Sequence, residues 1–513
     1  MRPYFTLPFL LLLAACQPRE KTAESEAPAT VQPIIIPGET RPAPVDIKTS
    51  VVRVNSTQQK WNPSQPWEKL SPSSRRALAA IVGPQQVLTT AELVADATYL
   101  EFESPDGTRF TRASVIAVDY EVNLALLGPA DEEDGKAFFA GTNPLELSEP
   151  SEIGDNLDIL QIEGNGTSLL TAGTFQSIDL AANFLPGQNF LTYQVKASMQ
   201  DAASSFSLPV LRENKLAGVL ISYDSKDQIC DVTATDIVRS FMEDAEGGTY
   251  NGFPSLGVSI ARTEDPSFRK WLQLQDDQGG IYVKSVRKGS SADLAGIRPS
   301  DVILAIDDQK IDRLGYFEHP TYGNVFWGHL VRGSHATGDV ITLSLQREGK
   351  PLEVKATLTR QEETKKLVPD YHFGQPPNYV VKGGFIFQEL SRPLLEAFGD
   401  DWPSRAPLNL LDTYENPEKY EDRIERVIFL SGAIPTPATV GYERLRNLIV
   451  HKVNGREIKN MKDLISAFNS NLQPLHSIEF LDENFTIYLD ENLSTVVDNQ
   501  LVKRGINRLS RTN

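Results

Sequence analysis

The 513-residue chain is poor in cysteine and histidine, and each scarcity narrows its chemistry. Its only cysteines are Cys16 and Cys230. Cys16 belongs to a leader, so Cys230 is left without an intramolecular partner and no disulfide is expected in the fold. The histidines are His319, His329, His335, His372, His451 and His476, so none lies in the first 318 residues. There is no Cys/His cluster with zinc spacing, no EF-hand loop and no P-loop, so no metal and no cofactor is expected. The one short glycine-rich stretch of the first half, Glu163-Gly164-Asn165-Gly166, reads as a turn. Basic charge is also in deficit: 50 Lys and Arg against 68 Asp and Glu give a net charge of -18, which argues against nucleic acid or an anionic membrane surface as partner. No apolar run reaches the roughly 20 residues that span a bilayer.

A leader is present instead. Arg2 provides a positive start, Phe5 to Leu13 a short apolar run, and Leu13-Ala14-Ala15-Cys16 a small-residue cleavage site that ends in cysteine. This is a bacterial lipobox, with Cys16 as the acylated first residue of the mature chain and the lipid as its only membrane contact. Residues 17–50 are rich in Pro, Glu, Ala and Thr and read as a disordered tether with an end-to-end distance of roughly 30 Å.

Three folded units are expected beyond the tether. Over 51–245, short apolar runs recur between turns: Tyr99 to Phe102, Ser114 to Val118, Leu124 to Leu127, Leu157 to Ile162, Leu191 to Val195 and Leu216 to Ile221. Many short strands suggest a barrel or sandwich, closed by a helix over Thr235 to Glu243 with Ile237, Val238, Phe241 and Met242 on one face. Over 253–360, Ser255-Leu256-Gly257-Val258 is followed by Gly280-Ile281-Tyr282-Val283, by a small-residue turn and helix from Gly289 to Ile297, and by the strand start Asp301-Val302-Ile303. That order resembles a PDZ domain. Over 380–502 the same grammar is fainter: Gly383-Gly384-Phe385-Ile386-Phe387, an acidic insertion from Asp400 to Glu425 read as a solvated loop, Val427 to Leu430, and an Asn454-Gly455 hairpin turn. Asn460 then caps a helix bearing Leu464, Ile465 and Phe468 on one face.

The first unit carries a more specific pattern. Val87-Leu88-Thr89-Thr90-Ala91-Glu92-Leu93-Val94 resembles the Deg/HtrA protease segment I-L-T-N-A-H-V-V, with Glu92 in place of the catalytic histidine. Asp119 to Leu127 resembles D-x-x-x-D-L-A-L-L, with Asn123 in place of the acid that orients that histidine. Ser204-Ser205-Phe206-Ser207-Leu208-Pro209 aligns with G-N-S-G-G-P, with Phe206 in place of the nucleophile. Similarity to plant-type Deg proteases continues through Tyr250 to Val258, Gly441 to Leu445 and Val453 to Gly455.

The resemblance implies a mainly β chain: a trypsin-like double β-barrel followed by two PDZ-like α+β domains. It also implies trimers or larger cages, as a homo-oligomer or as a mixed oligomer with an active relative. Catalysis is not implied. Serine attack needs a base near neutral pH, and no histidine is available in the first unit. A carboxylate at Glu92 is a poor substitute, and Ser204, Ser207 and Leu208 replace the glycines that turn oxyanion-hole amides inward. The expected activity is therefore capture of extended or C-terminal peptide segments by the first PDZ-like domain, through Leu256, Gly257 and Val258 and a helix over Val325 to Val331 that presents Phe326 and Leu330. Gln17 after Cys16, with no Asp there, implies sorting to the outer membrane of a two-membrane bacterium, facing the periplasm.

Overall fold

The computed structural model describes residues 46–513 apart from 164–165, 183, 200–205, 471–472, 482 and 513. Cys16 and nearly all of the tether lie outside the described residues. The tether ends earlier than its composition suggested: Ile47–Ser50 form a 3-10 turn whose Lys48 N–H is capped by Asp46, and Ile47 is buried. An apolar side chain with a core to enter orders the backbone that carries it.

The apolar runs become the strands of two closed barrels. The first contains β1 (Val51–Gln58), β2 (Ser73–Gly83), β3 (Gln86–Thr89), β4 (Ala97–Glu103), β5 (Phe110–Asp119) and β6 (Leu124–Pro129), in the order β1-β2-β3-β6-β5-β4. The second contains β7 (Asn156–Ile162), β8 (Ser168–Ala182), β9 (Asn189–Lys196), β10 (Leu208–Arg212), β11 (Lys215–Asp224) and β12 (Ile229–Ala234), in the order β10-β11-β12-β9-β8-β7. Closure leaves neither sheet with a free edge. Two short helices, α1 (Ala91–Val94) and α2 (Glu132–Phe138), serve the first barrel. After the second barrel, α3 (Thr235–Glu246) buries Ile237, Val238, Phe241 and Met242, the apolar face that its spacing foretold.

Two smaller sheets follow. The first is built from β13 (Val258–Ala261), β14 (Ile281–Val286), β15 (Val302–Ile306), β16 (Gln309–Lys310), β19 (Val340–Arg347) and β20 (Lys350–Thr357), with β13 at an edge. A separate hairpin, β17 (Tyr316–His319) and β18 (Gly323–Phe326), reaches back to the second barrel, where the hydroxyls of Tyr322 and Tyr193 lie 3.0 Å apart. The helices of this unit are α4 (Pro266–Trp271), α5 (Ser291–Leu294) and α6 (Gly328–Arg332).

The last sheet runs β27-β26-β24-β23-β22-β21-β28, with β25 beside β24. Its strands are β21 (Tyr379–Lys382), β22 (Phe385–Glu389), β23 (Ile428–Ala433), β24 (Leu448–Val453), β25 (Arg456–Glu457), β26 (Leu475–Phe480), β27 (Thr486–Asp490) and β28 (Ser510–Arg511). Asn454 and Gly455 join β24 to β25 with φ of 53° and 74°, the paired positive angles that a tight hairpin turn demands. The insertion read as a solvated loop is instead folded. It holds α8 (Trp402–Arg405) and α9 (Leu408–Glu415) after α7 (Arg392–Glu396), and Leu410 is fully buried. Leu410 packs in one apolar cluster with Trp402, Tyr414, Tyr420 and Ile424, which the acidic composition of the segment concealed. The helices α10 (Met461–Asn469) and α11 (Glu491–Lys503) complete the unit, and Asn460 caps α10 by accepting from the Asp463 amide.

Candidate functional site

The three positions aligned with a protease triad converge on one spot. Strand β3 delivers Thr89, Thr90 starts α1, and Glu92 stands in its first turn. The Glu92 backbone N–H donates to Asn123 Oδ1 at 2.9 Å, so Asn123 holds the start of the helix in place. Asn123 itself sits at φ 61°, a left-handed conformation that asparagine tolerates better than most side chains. Phe206 joins them through Arg75, whose guanidinium lies 4.3 Å from the ring centroid and 3.4 Å from the Glu92 carboxylate. Burial raises the Glu92 carboxyl above its ordinary value, against the pull of Arg75.

The residue after the ring is equally committed. Ser207 is buried at φ 54°, where the aligned family residue is glycine, and its Oγ lies 2.7 Å from Thr89 Oγ1 while accepting from the Thr90 N–H at 3.2 Å. Ser204 and Ser205 fall outside the described residues. None of the six histidines has a described contact with Glu92, Asn123 or Phe206: His319 stacks on Tyr322, His335 pairs with Asp307, and His476 meets Glu491. The cluster therefore offers a carboxylate engaged by arginine, an amide and a phenyl ring. Arg75 escaped sequence reasoning because it stands beside Arg76 on the exposed end of β2, where two arginines look like ordinary surface charge.

The loop that carries Asn123 is gripped by the first small domain. Asp119 is fully buried, accepts from Tyr250 Oη at 2.8 Å, and pairs with Arg360 at 3.2 Å. Glu121 pairs with Arg332 at the end of α6. Burial raises the Glu121 carboxyl, opposed by Arg332. These pairings join residues more than a hundred positions apart, so no local pattern announced them.

A cavity of about 560 Å³ lies beside that grip. Gly257 and, from edge strand β13, Val258 and Ser259 line one part of it, Arg332 and Glu121 another, and Glu415, Glu418 and Glu421 come from the folded insertion of the last domain. Gly257 has φ 77°, and its carbonyl accepts from the Arg287 N–H at 2.9 Å. Leu256 beside it is buried in the core.

The helix expected over Val325 to Val331 is shorter. Phe326 ends strand β18, packed edge-on against Tyr316, and helix α6 begins at Gly328. Leu330 is only 6% exposed and belongs to the core. Neither Phe326 nor Leu330 lines the cavity, and the α6 residue that does is Arg332. Apolar residues four apart had suggested one continuous helix, but hairpin pairing of Phe326 with Tyr316 captures the first of them.

In the last domain the corresponding strand edge is closed. There β22 is paired on both sides, with β23 and with β21, and β21 also packs against α10. Val380 of β21 is buried with Met461, Leu464 and Phe468 of that helix. The edge that is open at β13 is filled in the second small domain by the chain's own strand.

Models of the PDZ domain match residues 254–358 and 368–505. Protease Do-like 4, mitochondrial, of Arabidopsis thaliana is 26% identical over 81% of this chain and 76% of its own. Protease Do-like 2, chloroplastic, of the same plant is 26% identical over 87% of this chain and 72% of its own. Among solved structures, HtrA-type protease AlgW with decapeptide aligns with 61% of this chain and 96% of its own, at 19% identity and a TM-score of 0.46. Two tandem PDZ matches, together with Do-like relatives along more than four-fifths of its length, make the chain a member of the Deg/HtrA family with a protease-type fold followed by two PDZ domains.

Proposed function

We propose that the protein is a lipid-anchored pseudoprotease of the cell envelope, a scaffold or chaperone-like adaptor that captures client peptides in its first PDZ domain. The observation that carries this reading is the cluster at the triad positions, where Glu92 is engaged by Arg75 and Arg75 in turn covers Phe206. A serine nucleophile needs an adjacent base that is free to take its proton. Here the base position holds an arginine-bound carboxylate, and the nucleophile position holds a ring with no transferable proton. Peptide capture is supported by the unpaired edge of β13, which offers backbone groups to an added strand, and by the cavity beside it. Assembly into a homo-oligomer, or into a mixed oligomer with an active relative, would place several such grooves on one particle.

The rival reading is an active serine endopeptidase, favoured by the protease names of the relatives. Treating the purified protein with a fluorophosphonate probe and with unfolded casein separates the two. The proposal expects neither labelling nor cleavage. Labelling and cleavage that persist in Phe206→Ala would require a different catalytic serine and overturn it.

A further inference from the structure

The cavity of the first PDZ domain has electrically opposite walls. Strand β14 and the turn after it bring Lys284 and Arg287 to one side. The second PDZ domain brings Glu415, Glu418 and Glu421 to the other. Further charges at the cavity are already compensated, Glu121 by Arg332 and Asp370 by Lys366. Among the described residues none of the three facing glutamates is held in an ion pair, and Glu415 and Glu418 are exposed. The remaining fixed charge is thus cationic near the Gly257 turn and anionic across from it.

We propose that this groove selects C-terminal peptides carrying basic side chains within a few residues of the terminal carboxylate. The inference rests on reading the first PDZ domain as the peptide site. A peptide added antiparallel to β13 places its carboxylate at the Gly257 turn, close to Arg287, and advances about 3.3 Å per residue away from it. Alternate side chains then point to opposite faces, so one set meets the wall of the second PDZ domain. Lysine or arginine there finds the exposed Glu415 and Glu418, with Glu421 already facing Arg287, whereas an acidic residue meets like charge in a partly enclosed space and is rejected. Selection by the first domain therefore depends on side chains supplied by the second.

Fluorescence anisotropy on the purified full-length protein tests this with two labelled hexapeptides, identical except for Lys or Glu at the third and fifth positions from the C-terminus. The lysine peptide should bind about three- to tenfold more tightly, the value of one or two partly exposed charge pairs. That gap should shrink in 1 M salt, where screening acts over about 3 Å. Glu415→Lys with Glu418→Lys should invert the preference, and the milder Glu418→Gln should narrow it at unchanged melting temperature. Equal affinity of the wild type for both peptides, or an unaltered preference in the substituted proteins, overturns charge selection while leaving peptide capture intact. Failure of both peptides to bind the wild type overturns capture itself, and selection with it.

Discussion

Phe206 stands where the sequence aligns with the family's nucleophile, and the serine that follows it plays a structural part. Ser207 satisfies the buried Thr90 N–H and bonds to Thr89 Oγ1. Ser207→Ala should cost about 1–3 kcal/mol in urea denaturation, because it strands a buried donor without changing the backbone. Gly257 poses a different problem. A Cβ built there meets Ser290 Cβ at 2.2 Å, and φ is 77°, so any side chain strains the turn whether or not a ligand is present. Substitution at Gly257 is therefore an unsuitable probe of peptide contact. Gly257→Ala should lower stability by about 1–3 kcal/mol, measured by chemical denaturation, with partial recovery in Gly257→Ala combined with Ser290→Gly. Glu92, Asn123 and Phe206 were legible because fixed neighbours such as Leu88-Thr89 and Leu124-Ala125-Leu126 frame them. Arg75, Arg332 and Arg360 were not, since their partners are distant in sequence and adjacent only after folding.

Among the elements, α6 is where sequence periodicity misled. Residues 325–331 hold apolar side chains at helical spacing, but the strand pairing of β18 prevails over the first two and the helix keeps only five residues. The same helix buries His329, whose pKa is pushed down to about 4 by burial and by neighbouring His319. The folded value lies below the unfolded one of about 6.5, so the unfolded chain binds the extra proton. Stability is complete above about pH 6.5, falls as pH drops, and levels off below about 4. The loss from this one group should approach 3 kcal/mol at most. His329→Gln should flatten that part of the stability profile, read by thermal unfolding between pH 4 and pH 7.

At the scale of the whole molecule, the barrels and the first PDZ domain are locked by charges buried between them. Arg360→Ala would leave Asp119 buried without its cation and should cost about 3 kcal/mol. It should also accelerate proteolytic cleavage of the connection at residues 247–252, because the PDZ domain would lose its hold on the 119–123 loop. The anchor is a separate matter. Cys16→Ser should be exported yet recovered in the soluble fraction, and membrane fractionation equal to wild type would place the anchor elsewhere. The mainly β fold with two PDZ domains could be read from the chain, since apolar runs and turn residues report local structure. How the domains clasp one another could not, because that depends on side chains paired across a hundred residues or more.

Strand β21 has one more consequence. It lies along β22 and under α10, and it is joined to β22 by only Gly383 and Gly384. A segment tethered so closely acts as a ligand at millimolar or higher effective concentration, whatever the surroundings contain. A free peptide with micromolar affinity would have to be supplied at comparable levels to displace it. The second PDZ domain thus behaves as a receptor that is saturated from the moment it folds. On the proposed reading of the groove, its surface serves as a fixed wall for its neighbour, and the two domains divide a single recognition task between them.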